Sequence, residues 1–98
     1  MEALAVLADP TRRHILETLA CGPRSSGEIA GLFTISAPAV SQHLKRLEKA
    51  GLVHVRAEAQ RRIYELDRRG VDQLAQWVNE LRQFWSGKID ALDSVLRS

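Results

Sequence analysis

The run from Ser36 to Leu52 constrains this chain more than any other stretch. Ser36 is a good helix N-cap, because its hydroxyl can accept a hydrogen bond from an orphan backbone N–H. Pro38 falls in the first turn, where its missing N–H does no harm. Val40, Leu44 and Leu47 recur at helical spacing and form one apolar edge. Gly51 follows the last turn, where a left-handed cap is wanted. Lys45, Arg46 and Lys49 lie near the C-terminal end, which suits the helix dipole. The remaining face carries Pro38, Ser41, Gln42 and Lys45, with His43 and Arg46 at its margins. Small residues allow close approach to a surface. Ser and Gln can exchange hydrogen bonds with base edges, and cations behind them can reach phosphates. Such a face reads as the recognition helix of a helix-turn-helix. An amphipathic helix with a solvated basic face has the same composition, so the flanking segments must decide.

Upstream, residues 1–8 are apolar apart from Glu2, with Leu4 and Leu7 on one helical edge. Asp9-Pro10 reads as N-cap and first residue of a second helix, running to about Ala20. That helix buries Ile15, Leu16 and Leu19 and exposes Arg12, Arg13 and Glu17. Cys21-Gly22-Pro23 stops it. Ser25-Ser26-Gly27-Glu28 fits a capping box opening a short helix, with Ile29, Leu32 and Phe33 inward. Thr34-Ile35 is the turn before Ser36.

Downstream, the period changes to two. Leu52–Arg56 and Arg62–Leu66 read as strands joined by a hairpin loop, Ala57–Arg61, which lacks the Gly expected of a tight turn. A hairpin straight after a recognition helix makes a winged helix-turn-helix. Arg56, Gln60, Arg61 and Arg62 are its candidate phosphate or minor-groove contacts. Gly70 precedes a long final helix, about Val71 to Leu96. Its stripe of Val71, Leu74, Val78, Leu81, Trp85, Ile89 and Leu92 is widened by Trp77 and Phe84. Ser86-Gly87 offers a bend. So much apolar surface implies a partner. The simplest is a second copy, joined across a two-fold axis through Leu4, Leu7, Leu74, Trp77, Val78, Leu81, Trp85, Ile89 and Leu92. A homodimer would place two recognition helices about one turn of double-stranded DNA apart, matching a palindromic operator.

The expected fold is mainly α with a small β-hairpin: a winged helix-turn-helix, dimeric through its N- and C-terminal helices. It is expected as one domain over residues 1–98: N-terminal helices 1–20, helix-turn-helix 25–50, wing 52–66 and dimerisation helix 71–96. The formal charge of +2 says little, but its distribution says more. His43 to Arg69 holds eight Lys/Arg against four Asp/Glu, a net of +4. This is the concentration that a nucleic-acid footprint requires. One cysteine, Cys21, excludes a disulfide framework and points to the reducing cytoplasm. No apolar run approaches the ~18 residues of a membrane span, and no signal peptide is evident. No positioned catalytic constellation or Gly-rich phosphate loop argues for an enzyme.

Several of these residues carry a resemblance over nearly the whole chain. They are Ala8-Asp9-Pro10-Thr11-Arg12-Arg13 with Ile15-Leu16, Ser41-Gln42-His43-Leu44-Lys45 with Leu47, Ala50-Gly51-Leu52-Val53, and Arg62 with Tyr64 and Leu66. The chain resembles the ArsR/SmtB family of bacterial winged-helix repressors. The resemblance implies sequence-specific DNA binding as a homodimer, repression of a promoter and release by an inducer. Carried over by position, Ser36, Pro38, Ser41, Gln42, His43 and Lys45 would face the major groove. The end of the chain, Phe84-Trp85 and Lys88–Asp93, is similar to a subgroup without known metal sites, some of them autorepressors. Metal sensors of the family use paired Cys before the turn, or Asp/His and His/Glu pairs on the dimer helix. Here residues 25–33 and the final helix contain neither Cys nor His. Soft and borderline metals want thiolate or imidazole, so no metal and no other cofactor is expected, and the inducer stays open. A metal- or thiol-responsive repressor, or a winged-helix interaction module, are the alternatives.

Overall fold

The computed structural model describes residues 2–97; Met1, the expected start of the first helix, and Ser98 lie outside them. In chain order the elements are α1 (Glu2–Val6), α2 (Pro10–Ala20), β1 (Arg24–Ser25), α3 (Ser26–Ala30) and α4 (Ala37–Lys49). The wing strands β2 (Val53–Glu58) and β3 (Arg61–Leu66) and the helix α5 (Arg68–Arg97) follow.

The helix starts follow the capping chemistry of the sequence. The Arg12 N–H donates to Asp9 Oδ2 at 3.0 Å and opens α2. Ser25 and Glu28 satisfy each other's backbone N–H at 3.1 and 2.9 Å, a complete capping box at α3. The Ala39 N–H donates to Ser36 Oγ at 3.3 Å at the start of α4. Gly51, with φ +78°, ends α4 in the left-handed region.

The core lies where α2, α3, α4 and the sheet meet. Ile15, Ile29, Val40, Leu44, Leu47, Leu52 and Val53 are fully buried there, each worth about 1.5–3 kcal/mol of transfer free energy. The sheet is antiparallel with order β1-β3-β2, and pairs Val55 with Tyr64 and Arg24 with Tyr64 on opposite edges of β3.

Six details differ from the sequence reading. Helix α3 stops at Ala30, so Leu32 is 49% exposed and only Ile29 is fully inward. Phe33 is half-buried, its ring meeting His14 edge-on at 5.3 Å. The strand β1 had no sequence signal, since two residues carry no period. The hairpin turn is tight without a Gly: Glu58 pairs with Arg61, leaving Ala59 (φ +55°) and Gln60 between them. Arg12, expected in solvent, is buried, because side chains in a first turn lean back toward the N-terminus and the end of α1. Gly70 lies inside α5, which starts at Arg68 and runs unbroken through Ser86-Gly87. A Cβ on Gly70 would stand 1.8 Å from the Gly51 carbonyl oxygen, so α5 crosses the end of α4 at backbone contact.

Beyond that crossing α5 leaves the body. None of its 30 residues is fully buried. Val71 and Leu74 pack partly on the core, while Phe84, Trp85, Ile89 and Leu92 are each about 60% exposed. The molecule measures 67 × 26 × 22 Å.

Candidate nucleic-acid interface

Helix α4 buries Val40, Leu44 and Leu47 and so turns the opposite side outward. Pro38, Ser41, Gln42, Lys45, Arg46 and Lys49 are all exposed there, with Ser36 at the N-cap. Ser41, Lys45, Glu48 and Lys49 on α4 and Arg62 and Tyr64 on β3 line one open cleft of about 410 Å³. Arg62 is placed in this cleft by strand periodicity, since it shares a face with the buried Tyr64. Among the described residues, Lys45, Arg46, Lys49 and Arg62 make no salt bridge. The result is an open groove with hydrogen-bonding side chains, three cations (Lys45, Lys49 and Arg62) and the Glu48 carboxylate around it, while Arg46 lies on the side toward α1.

Other candidates are held elsewhere. His43 is half-buried, with Nδ1 3.4 Å from Arg12 Nη1 and 3.9 Å from Asp9 Oδ2, and so turns toward the start of α2. Arg12 itself donates from Nε to the Val6 carbonyl at 2.6 Å, and Arg13 to that of Leu7 at 3.0 Å. These two arginines satisfy the free carbonyls at the end of α1. Sequence reasoning missed Arg12 because nothing local marks a first-turn arginine as buried. It also passed over Lys49 as a groove residue, although its helical position follows Lys45 by four.

On the outer face of the wing, Arg56 Nη1 donates to Glu58 Oε2 at 2.8 Å and its Nε lies 3.4 Å from Glu65 Oε1. His54 Nε2 lies 2.7 Å from that same Glu65 oxygen. Arg61 Nη2 donates to Glu28 Oε1 at 3.1 Å, tying the wing tip to α3. Gln60 is exposed at the turn. The contact with His54 holds the Glu65 carboxyl below its ordinary range, with Arg56 adding to the effect. The Glu58 hydrogen bond raises Arg56. The Ser25 N–H holds Glu28 low, and the Arg12 N–H does the same for Asp9.

The apolar candidates divide by position. Leu4, Leu7 and Leu74 are half-buried, the last two against the core. Trp77, Val78, Leu81, Trp85, Ile89 and Leu92 are exposed along one side of α5. Cys21 is exposed and unbridged. No group of three His, Cys, Asp or Glu among the described residues could hold a metal ion. No helix among them is long and apolar enough to cross a membrane.

Residues 9–55 match the model of the bacterial regulatory protein, arsR family. The chain is 49% identical over 96 residues to the HTH-type transcriptional regulator Rv2034 of Mycobacterium tuberculosis, covering 98% of this chain and 87% of that protein. It is 35% identical over 72 residues to the transcriptional repressor SdpR of Bacillus subtilis, covering 74% and 80%. The homodimeric winged helix-turn-helix DNA-binding domain Mb0332 of Mycobacterium bovis superposes with a TM-score of 0.68 at 29% identity, covering 84% of this chain and 76% of that one.

Proposed function

The chain belongs to the arsR family of bacterial regulatory proteins, so it is a transcriptional regulator and not an enzyme; from that premise we propose that it is a cytoplasmic homodimeric repressor of an inverted-repeat operator, working without a bound metal. The observation that carries this reading is the outward face of α4. Ser41 and Gln42 stand exposed beside Lys45, Arg46, Lys49 and Arg62, none of which makes a salt bridge among the described residues, although Glu48 lines the same cleft. Seated in a major groove, Gln42 would read a base edge, most favourably the N6 and N7 atoms of one adenine, bidentately. Ser36, Ser41 and Lys45 would lie along the same groove wall. Lys49 and Arg62 would take phosphates on the side of the wing, and Arg46 on the other.

Dimer formation is supported by the exposed stripe of α5 and by the homodimeric state of the Mycobacterium bovis domain. Repression is supported by the likeness to SdpR. The metal-free reading rests on the donor set, which offers neither imidazole nor thiolate on α3 or α5. The test is selection from a randomised DNA pool at near-physiological salt with chelator present, followed by sequencing. Enrichment of an inverted repeat is the expected result. Enrichment only after a metal is added would overturn the metal-free reading. No enrichment under any condition would favour a winged-helix interaction module.

A further inference from the structure

The wing does not carry the charge that its sequence advertises. Of its three arginines, only Arg62 is on the groove side and without a salt bridge among the described residues. Arg56 is gripped by Glu58 and Glu65 at 2.8 and 3.4 Å, and Arg61 by Glu28 at 3.1 Å. Each carboxylate is itself placed by the fold. Glu65 stands opposite His54 in the strand register, Glu58 opposite Arg61, and Glu28 is fixed by the capping box of α3. The cations of this surface therefore form two sets: an open one around α4 and a latched one on the outer face and tip of the wing.

We infer that Glu28, Glu58 and Glu65 are specificity-determining residues, which keep Arg56 and Arg61 off random DNA and yield them to phosphates only when α4 is seated at its operator. This inference rests on the DNA-binding reading above. An exposed ion pair is weak, so a phosphate held against it can displace the carboxylate. A phosphate that passes by cannot, because release is repaid only while the wing stays against the backbone. Non-specific binding depends almost wholly on the number of phosphates neutralised. A wing whose arginines are already occupied subtracts from that number. At an operator the base contacts of α4 hold the wing in place, and the latched arginines add to it. The difference widens the gap between specific and non-specific affinity without any further base contact.

The experiment is a pair of double-mutant cycles, read by fluorescence anisotropy on a scrambled-sequence duplex across a range of KCl concentrations. One cycle takes Glu58→Gln and Glu65→Gln together, Arg56→Gln and the combined variant. The other takes Glu28→Gln, which keeps the capping box, with Arg61→Gln and their double variant. Thermal melts of every variant check that the fold is kept. The Glu58→Gln/Glu65→Gln pair and Glu28→Gln are each expected to tighten binding to scrambled DNA severalfold. Each should steepen the salt dependence by about 0.9, one more phosphate contact. Both gains should vanish when the partner arginine is also replaced. An equal gain with and without the arginine would mean a general loss of negative charge, and would overturn the latch. So would no gain in binding. Absence of salt-dependent binding by the wild-type protein would instead overturn the DNA-binding reading, and the latch with it.

Discussion

At the scale of single residues, the tightest constraint is where Gly70 meets Gly51. The Cβ of an alanine at 70 would fall 1.8 Å from the Gly51 carbonyl oxygen and 2.6 Å from its carbon. Both are backbone atoms, so α5 would have to move as a unit. Alanine favours a helix interior by about 1 kcal/mol over glycine, but forced overpacking costs about 1–3 kcal/mol and sometimes more. Gly70→Ala is therefore expected to lower the thermal midpoint, and a calorimetric scan that shows a rise would remove the close crossing. Ala59 is the opposite case. Its φ of +55° costs an L-residue about 1–2 kcal/mol, and glycine gives back about 0.5–1 kcal/mol in chain entropy. Ala59→Gly should stabilise the hairpin by up to about 1 kcal/mol, visible as a higher urea midpoint with unchanged slope. A lower midpoint would place the strain elsewhere. Neither residue announces itself in the sequence. Gly70 looks like helix punctuation because its reason lies in another helix, and Ala59 has no turn signature at all.

At the scale of elements, what was legible is what is decided locally. The starts of α2, α3 and α4 each follow from a side chain and a backbone N–H three residues apart. The buried edge of α4 follows from its period. What was not legible depends on partners distant in sequence: the pairing of β1 with β3, the burial of Arg12 against α1 and α4, and the carboxylates that occupy the wing arginines. Counting charge along the chain gave His43 to Arg69 a net of +4, but Arg61 is answered by Glu28, which lies outside that window. The same caps contribute to the fall of stability in acid. Asp9 and Glu28 have folded pKa values below their ordinary 3.8 and 4.5, because backbone N–H groups favour the charged carboxylate. A group whose pKa is lower when folded stabilises fully above its unfolded value. It loses that contribution as pH falls through the folded one. Stability should therefore decline progressively below about pH 4.5. Glu28→Gln should flatten part of that decline, as followed by thermal melts from pH 5 downward; an unaltered acid limb would deny Glu28 a share in it.

At the scale of the whole molecule, one chain leaves its structure incomplete. A compact domain of this length has a radius of gyration near 13 Å, whereas this one has 18.0 Å. The excess is α5, about 45 Å of helix that anchors at Val71 and Leu74 and then runs out with Leu81, Trp85, Ile89 and Leu92 uncovered. An isolated helix gains most of its stability from a packed apolar face, so the outer half of α5 needs a cover. In the proposed dimer a second α5 would supply a matching stripe, and the two-fold axis joining them would set the distance between the two α4 faces. Dimerisation and recognition are thus one geometric problem, since base contacts in two successive grooves require both copies at fixed spacing. Trp85→Ala removes a large aromatic from the middle of the stripe. A buried aromatic anchor of that kind is worth about 2 kcal/mol or more in an interface, roughly thirtyfold in the dimer dissociation constant. Sedimentation should show monomer at concentrations where the wild type is dimeric. The thermal midpoint of the wild type should rise with protein concentration, and operator affinity should fall in the variant along with dimer content. Asp90→Asn, on the opposite side of the same helix, should leave all three unchanged. If Trp85→Ala sediments as the wild type does, the two-fold contact lies elsewhere, and the spacing of the α4 faces must be derived from that surface instead.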